Sequence, residues 1–302
     1  MAFSRFLDPK NDYLFKRLFG SEKNKDILIY FINSILNRTG SELVADVTYL
    51  KSDQNPEYAY KKQSVVDVLC RDQAGTQFII EMQVAKTPGF EERAQFYAAK
   101  AYINQMNAGG KYPDLKEVIF IAITDYVMFP DKPTWKSDHV TLDKKTFEHD
   151  LKAFSFTFIE LPKFKKSIEE LNSIEEKWAY FFKHANETTE EELTALLGDD
   201  VVLKKAFDES TKYSMNEEEW NSYEAALKHE RDARAIEEQK LMDAEAKGKS
   251  EGKIEGEKAK AIEIAHGMLQ DNLPISTIAK YTGLTEDEIN ELKQILQNRE
   301  SP

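Results

Sequence analysis

The sequence predicts an α/β protein in which a mixed β-sheet is flanked by helices and followed by an all-α C-terminal region. Three observations carry this prediction. Two runs rich in Val, Ile and Phe, Gln63–Asp72 and Thr76–Ala85, are separated only by Gln73-Ala74-Gly75, as in a hairpin closed by a left-handed Gly. Val118–Ile123 is a continuous apolar run bounded by charge, the signature of a central strand buried on both faces. Beyond Lys166 every periodic pattern is helical.

In chain order, Leu14, Phe15, Leu18 and Phe19 form one short apolar helical face, and Ile27–Leu36 form a longer one. Asp12 starts the first of these in a position suited to capping it. Leu43–Leu50 reads as a first strand, followed by a polar loop through Ser52–Glu57 and then the hairpin. After Pro88-Gly89 a helix runs to Asn107, where Ala108-Gly109-Gly110 stops it. Met128–Lys145, irregular and containing Trp135, predicts a loop with a short edge strand. Phe154, Phe156 and Phe158 alternate with Ser155 and Thr157, which predicts an outer strand with one buried face. The first domain is thus expected at residues 1–166.

A helical extension, 167–247, follows. Ser173-Ile-Glu-Glu176 and Thr189-Glu-Glu-Glu192 each match a capping box, and Trp178, Phe181 and Phe182 give the first helix an apolar side. A charged helix is expected from Glu217 toward Glu245. Gly248, Gly252 and Gly256 each cost up to about 1 kcal/mol of helix stability, so a flexible joint is expected there. The tail, 248–302, ends in three short helices broken at Leu273-Pro274 and Thr282-Gly283, the last capped by Thr285-Glu-Asp-Glu288.

The hairpin carries the chemistry. If Asp72 faces Thr76, counting outward sets Asp67 opposite Glu81, with Cβ atoms roughly 5 Å apart. Glu81 and Gln83 share a face, and Asp67 joins them across the pair. On a surface flanked by Val65, Leu69 and Ile79, two buried carboxylates raise each other's pKa unless something neutralises them. A divalent cation does so, and hard oxygen ligands favour Mg²⁺ or Mn²⁺. The alternative is a pair of acids facing solvent on the polar face of an ordinary hairpin; spacing leaves both readings open.

The order apolar-Asp67-apolar, a short turn, then Ile-Ile-Glu81-Met-Gln83 resembles the core of the PD-(D/E)XK nuclease superfamily, and more closely its recombination-promoting, transposase-like branch. Asn11–Gly20, Arg93–Tyr102 and Lys116–Thr124 share in the resemblance, which with the tail spans most of the chain. It implies a restriction-endonuclease-like fold and a metal-dependent DNA endonuclease in which Asp67 and Glu81 hold Mg²⁺ or Mn²⁺ and Asp12 completes the metal sphere. Gln83 stands where the superfamily has Lys, and Gln offers only neutral hydrogen bonds. Lys100 or Lys16 is then the candidate for the missing charge, Lys100 as a catalytic residue and Lys16 among the nucleic-acid contacts. Arg93, Tyr97 and Lys100 share one side of their helix; Arg93 and Tyr97 either hold phosphate or orient the metal ligands, or Tyr97 belongs to the core-facing stripe with Phe90, Ala94 and Ala101 and Arg93 flanks it. The end of the chain resembles a helix-turn-helix element, but its last helix opens on Glu286, Asp287 and Glu288, the wrong charge for phosphates. A protein contact, such as homo-oligomerisation through the tail, is expected there. The second functional reading is a catalytically weak nucleic-acid-binding or assembly module acting through that acidic tail.

Composition bounds these readings. The chain has 302 residues with 41% apolar content, enough for a full core and a second, smaller unit. Residues 1–172 carry 24 Lys+Arg against 24 Asp+Glu, so the whole net charge of −13 lies beyond them. A neutral catalytic unit is compatible with a polyanion, and Lys61-Lys62, Lys144-Lys145 and Lys163, Lys165, Lys166 are its basic clusters, either phosphate contacts or solvated surface. The single cysteine, Cys70, reads as a core residue and allows no intramolecular disulfide. The five histidines show no zinc spacing, and no phosphate-cradling glycine loop appears. With no apolar run long enough to span a bilayer and no signal core, the expectation is a cytoplasmic protein without a membrane partner.

Overall fold

Asn11, not Asp12, caps the first helix. In the computed structural model, which describes residues 4–51, 53–54, 64–106 and 110–299, the Asn11 side chain accepts from the backbone N–H groups of Tyr13 and Leu14. Asp12 is already inside helix α1 (Asp12–Phe19), where an acid suits the positive end of the helix. Helix α2 (Lys25–Ile35) follows and buries Ile27, Leu28, Phe31, Ile32 and Ile35.

Strand β1 is shorter than its apolar pattern predicts, only Val47–Tyr49. The preceding backbone is satisfied by side chains. Asn33 exchanges two hydrogen bonds of 2.9 Å with the Val44 backbone, and Gln73 takes the N–H of Ala45 and donates to the carbonyl of Leu43. The polar loop contains a two-residue strand, β2 (Asp53–Gln54), paired with β3 (Ser64–Val65). Ser52 and residues 55–63, including the Lys61-Lys62 cluster, lie outside the described residues.

Strands β4 (Val68–Asp72) and β5 (Gln77–Gln83) form the expected hairpin in the expected register, with Val68 opposite Ile80 and Leu69 opposite Ile79. Asp72 Oδ1 accepts from Ala74 and Thr76 N–H and so closes the turn. Gly75 has φ +94°, and a Cβ there would lie 3.0 Å from Lys116 Cγ. Gly75→Ala is therefore expected to destabilise the protein by about 1 kcal/mol or more, read as a lower denaturant midpoint at unchanged slope.

Helix α3 runs Phe90–Ile103 and is closed by Asn104, earlier than expected; Asn107, Ala108 and Gly109 lie outside the described residues. Strand β6 (Val118–Thr124) is buried at all seven positions and runs parallel to β5. Strand β7 (Lys136–Val140) is the short edge strand, and β8 (Phe154–Glu160) lies between it and β6. The Phe154–Phe158 run is thus an interior strand and not the outer one. Its polar residues are paired within the sheet, Ser155 with Glu117 and Thr157 with Asp138, which mimics the alternation of an exposed edge.

The sheet order β1-β4-β5-β6-β8-β7 is mixed, parallel only at β5-β6-β8. Alternate residues feed two cores. Phe78, Ile80, Ile119, Ile121 and Ile123 join a large core with α1 and α2, whereas Ile79, Phe120, Ala122 and Phe158 join a smaller one under α3 through Phe90, Ala94, Ala98 and Ala101.

The large core is completed from further along the chain. Helices α4 (Ile174–His184), α5 (Glu190–Leu197) and α6 (Val201–Glu209) contribute Trp178, Phe181, Phe182, Leu197 and Phe207. Thr189 and Glu192 make the predicted capping box. Ser173 makes half of one: its hydroxyl accepts from Glu176 N–H, while the Glu176 carboxylate takes Asn172 N–H and Lys166 instead. Lys163 is likewise ion-paired, with the fully buried Glu160, so two lysines of that basic cluster are engaged within the fold.

The chain divides into compact units at residues 1–230 and 231–302. Helix α7 (Glu217–Gln270) supplies Tyr223 to the first unit's core and continues without a break through Gly248, Gly252 and Gly256. In the second unit, its last turns, α8 (Ile275–Thr282) and α9 (Glu286–Arg299) enclose Ala265, Ile278, Leu284 and Ile289. The helix breaks fall where Leu273-Pro274 and Thr282-Gly283 predict them. Thr285 and Glu288 bond reciprocally to cap α9.

Candidate active site

The two acids meet. Asp67 precedes β4 by one residue, on the extension of the register that sets Val68 against Ile80, so it faces Glu81. At this end of the hairpin side chains replace the backbone ladder: Asp67 N–H donates to Glu81 Oε1 at 3.1 Å, and Met82 N–H donates to Asp67 Oδ2 at 2.9 Å. Each carboxylate is held by the opposite strand's backbone, which fixes both at once.

Glu81 is only 3% exposed, so the solvent-facing alternative for the hairpin acids does not hold. Burial raises the Glu81 pKa, and the Asp67 charge raises it further. Burial also raises Asp67, opposed by the Met82 N–H and by Lys16. Two buried carboxyls that resist joint ionisation fit a divalent cation, whose charge removes the repulsion and whose preference is for hard oxygen.

Around the pair runs a chain of polar contacts. Gln83 Nε2 donates to Glu81 Oε2 at 3.0 Å, and Arg93 Nη2 donates to Gln83 Oε1 at 2.6 Å, so Arg93 fixes which end of the amide meets the acid. On the other side Lys16 Nζ stands 3.6 Å from Asp67 Oδ1 and 2.7 Å from Asp12 Oδ1. Burial lowers the Lys16 pKa, but the Asp12 hydrogen bond and the Asp67 charge outweigh it and the net shift is upward. Tyr97 lies on α3 one turn beyond Arg93; burial raises its hydroxyl pKa, with Arg93 opposing and the charges of Glu81 and Asp67 adding. Lys100 is half-buried two turns beyond Arg93. Among the described residues no group of three carboxylate, imidazole or thiol side chains is gathered for a metal. Asp12 is separated from the pair by Lys16.

Tyr126, two residues past β6, is a further residue of this region. Its backbone follows directly on Asp125, whose N–H donates to the Gln83 carbonyl at 2.9 Å, and its hydroxyl is buried without a partner among the described residues. Burial pushes that hydroxyl up to about 12, with Arg93 opposing. Arg93 Nε is likewise buried and unpartnered. Arg93 links Tyr126 to Gln83, because its charge acts on the Tyr126 hydroxyl and its Nη2 holds the Gln83 amide. A lone Tyr just past a strand carries no pattern by which a sequence could mark it.

A mixed sheet with helices on both faces and a central hairpin carrying paired acids places the protein in the PD-(D/E)XK class of α/β proteins. The chain belongs to the family described as PD-(D/E)XK nuclease family transposase, whose model matches residues 9–240. Residues 258–294 match the C-terminal HTH domain of the Rpn/YhgA-like nuclease family. No match is found among curated proteins or solved structures. Among the described residues no helix is long and apolar enough to cross a membrane.

Proposed function

We propose that the protein is a metal-dependent DNA endonuclease that hydrolyses phosphodiester bonds. The observation that carries this reading is the buried Asp67–Glu81 pair, with the Glu81 pKa raised by burial and by its neighbour. Asp67 and Glu81 would hold Mg²⁺, or Mn²⁺ with the same hard-oxygen preference, and Asp12 would complete the set once Lys16 releases it. The bound ion supplies Lewis-acid charge at the scissile phosphate and lowers the pKa of the attacking water. Gln83, oriented by Arg93, positions that water by a neutral hydrogen bond. Lys16 supplies positive charge to the phosphate in place of the lysine the superfamily carries at Gln83, with Lys100 as the second candidate. Arg93 and Tyr97 contact the phosphate backbone from α3.

Plasmid incubated with wild-type protein is expected to be nicked with Mg²⁺ and spared with chelator. Asp67→Ala should be inert in both. Nicking by Asp67→Ala at the wild-type rate would refute the assignment. At saturating metal Lys16→Ala is expected to slow cleavage roughly 10²-fold, in the range for removing one charge-stabilising donor. An unchanged rate, with the loss appearing in Lys100→Ala, would move the role to Lys100. Asp12→Asn should weaken cleavage chiefly at limiting metal.

Gln83 favours a second reading, a catalytically weak module that binds nucleic acid or assembles through its acidic tail. Glu286, Asp287 and Glu288 open α9, and the Lys258 hydrogen bond holds the Glu288 carboxyl down to about 2. That charge is wrong for phosphates, so on this reading the tail makes a protein contact, such as self-association, in a cytoplasmic setting. Tight binding of duplex by the full chain that is lost on deleting 258–294 would oppose it.

A further inference from the structure

We propose that a cavity beside the candidate active site binds an unpaired nucleobase of the nucleic-acid strand; this rests on the nuclease reading and names how the strand is gripped. The cavity has a volume of about 310 Å³, within the range of ligand pockets, and is lined by Glu91, Gln95, Phe129, His139, Phe156 and Phe158.

Its position follows from the sheet register. Glu81 on β5 is level with Ala122 on β6, and Ala122 with Phe158 on β8, so one row across the sheet joins the acid pair to the cavity floor. Residues level with one another across strands point to the same face, and two strand spacings amount to about 10 Å. Ala122, between the two, is covered by α3, so a strand whose phosphate lies at Glu81 reaches the cavity around the start of that helix, where Glu91 lines it.

The chemistry suits a base. Phe129, His139 and Phe158 are mutually packed with ring centroids 5.2 to 5.4 Å apart, and His139 is level with Phe156 on the neighbouring strand. Unpaired bases are held chiefly by stacking on such rings. Lys132 Nζ lies 3.2 Å and Ser137 Oγ 3.0 Å from His139 Nε2; both groups can donate and an ammonium cannot accept, an arrangement that favours a neutral ring. Burial, then the Lys132 charge, lower the His139 pKa in the same sense. Glu91 also lines the cavity, and a carboxylate accepts hydrogen bonds and repels phosphate. A carboxylate there selects an amino-bearing edge, such as the N4 group of cytosine, over the carbonyl edge of thymine.

The test is binding of labelled single strands of about 12 nucleotides to the full chain in chelator, where cleavage is absent. His139→Ala is expected to weaken oligo-dC binding roughly tenfold at an unchanged melting temperature, and His139→Phe to restore it. Glu91→Gln should reduce the preference for oligo-dC over oligo-dT, and an abasic strand should bind like oligo-dC does to His139→Ala. Equal binding of abasic and base-bearing strands, wild-type affinity in His139→Ala, or no single-strand binding would each overturn the pocket. The nuclease reading is judged separately, by Asp67-dependent nicking of plasmid.

Discussion

Glu81→Gln is expected to lower metal-dependent cleavage by roughly 10³-fold or more, about 4 kcal/mol of transition-state stabilisation, while the protein stays folded. The substitution keeps the side chain's length and the oxygen that accepts Asp67 N–H, but removes one of the two negative charges offered to the cation. Its second signature is pH dependence without metal. Burial and Asp67 raise the Glu81 pKa above that of the unfolded chain. A carboxyl so shifted contributes stability that is complete below the unfolded glutamate range and is lost as pH rises through the folded value. In chelator the wild-type melting temperature should therefore fall across that window, and Glu81→Gln should flatten the fall. Metal binding should show the opposite trend, strengthening as pH rises through the same window, because the ion displaces the proton. A wild-type melting temperature that rises through the window would contradict the buried pair.

Trp178→Ala is expected to destabilise the first unit by about 3–5 kcal/mol, measured by denaturant unfolding. The indole is fully buried on α4, with ring centroids 5.4 Å from Phe31 on α2 and 6.0 Å from Phe19 on α1, so the truncation opens a cavity where three helices meet. Its Nε1 is buried without a partner among the described residues, so no hydrogen bond to them is lost with the ring. Trp178→Phe should retain most of the packing and cost less. Because domains are stable by only about 5–15 kcal/mol, the Ala variant should lose activity on mild warming while keeping it in the cold. A loss below about 1 kcal/mol would mean that the helices of residues 167–230 do not share this core.

The parts of the fold that were legible are those where local pattern and tertiary environment agree. Val118–Thr124 is apolar throughout because both of its faces are covered, and Gly75 sits where the turn needs a positive φ. The misread elements are those whose polar groups are satisfied by side chains. Leu43–Leu50 looks extended, yet Asn33 and Gln73 take its backbone groups and leave only three residues for the ladder. Ser155 and Thr157 alternate like an exposed edge, yet they bond Glu117 and Asp138 inside the sheet. The first helix is capped by Asn11, one residue before the acid expected to do it. Tyr126 and the rings around His139 were not legible at all, because strands and a helix far apart in the chain bring them together.

By itself the sequence determined the hairpin register, and with it the meeting of Asp67 and Glu81, because side-chain alternation and a three-residue turn leave one way to count. It also determined the neutral charge of residues 1–172 and the helical breaks of the tail. Only the tertiary structure decided that this pair is buried, that Lys16 bridges Asp12 and Asp67, and that Arg93 fixes the Gln83 amide. Those facts depend on how α1 and α3 pack beside the hairpin. Distance and desolvation are set by such packing, which no local spacing encodes.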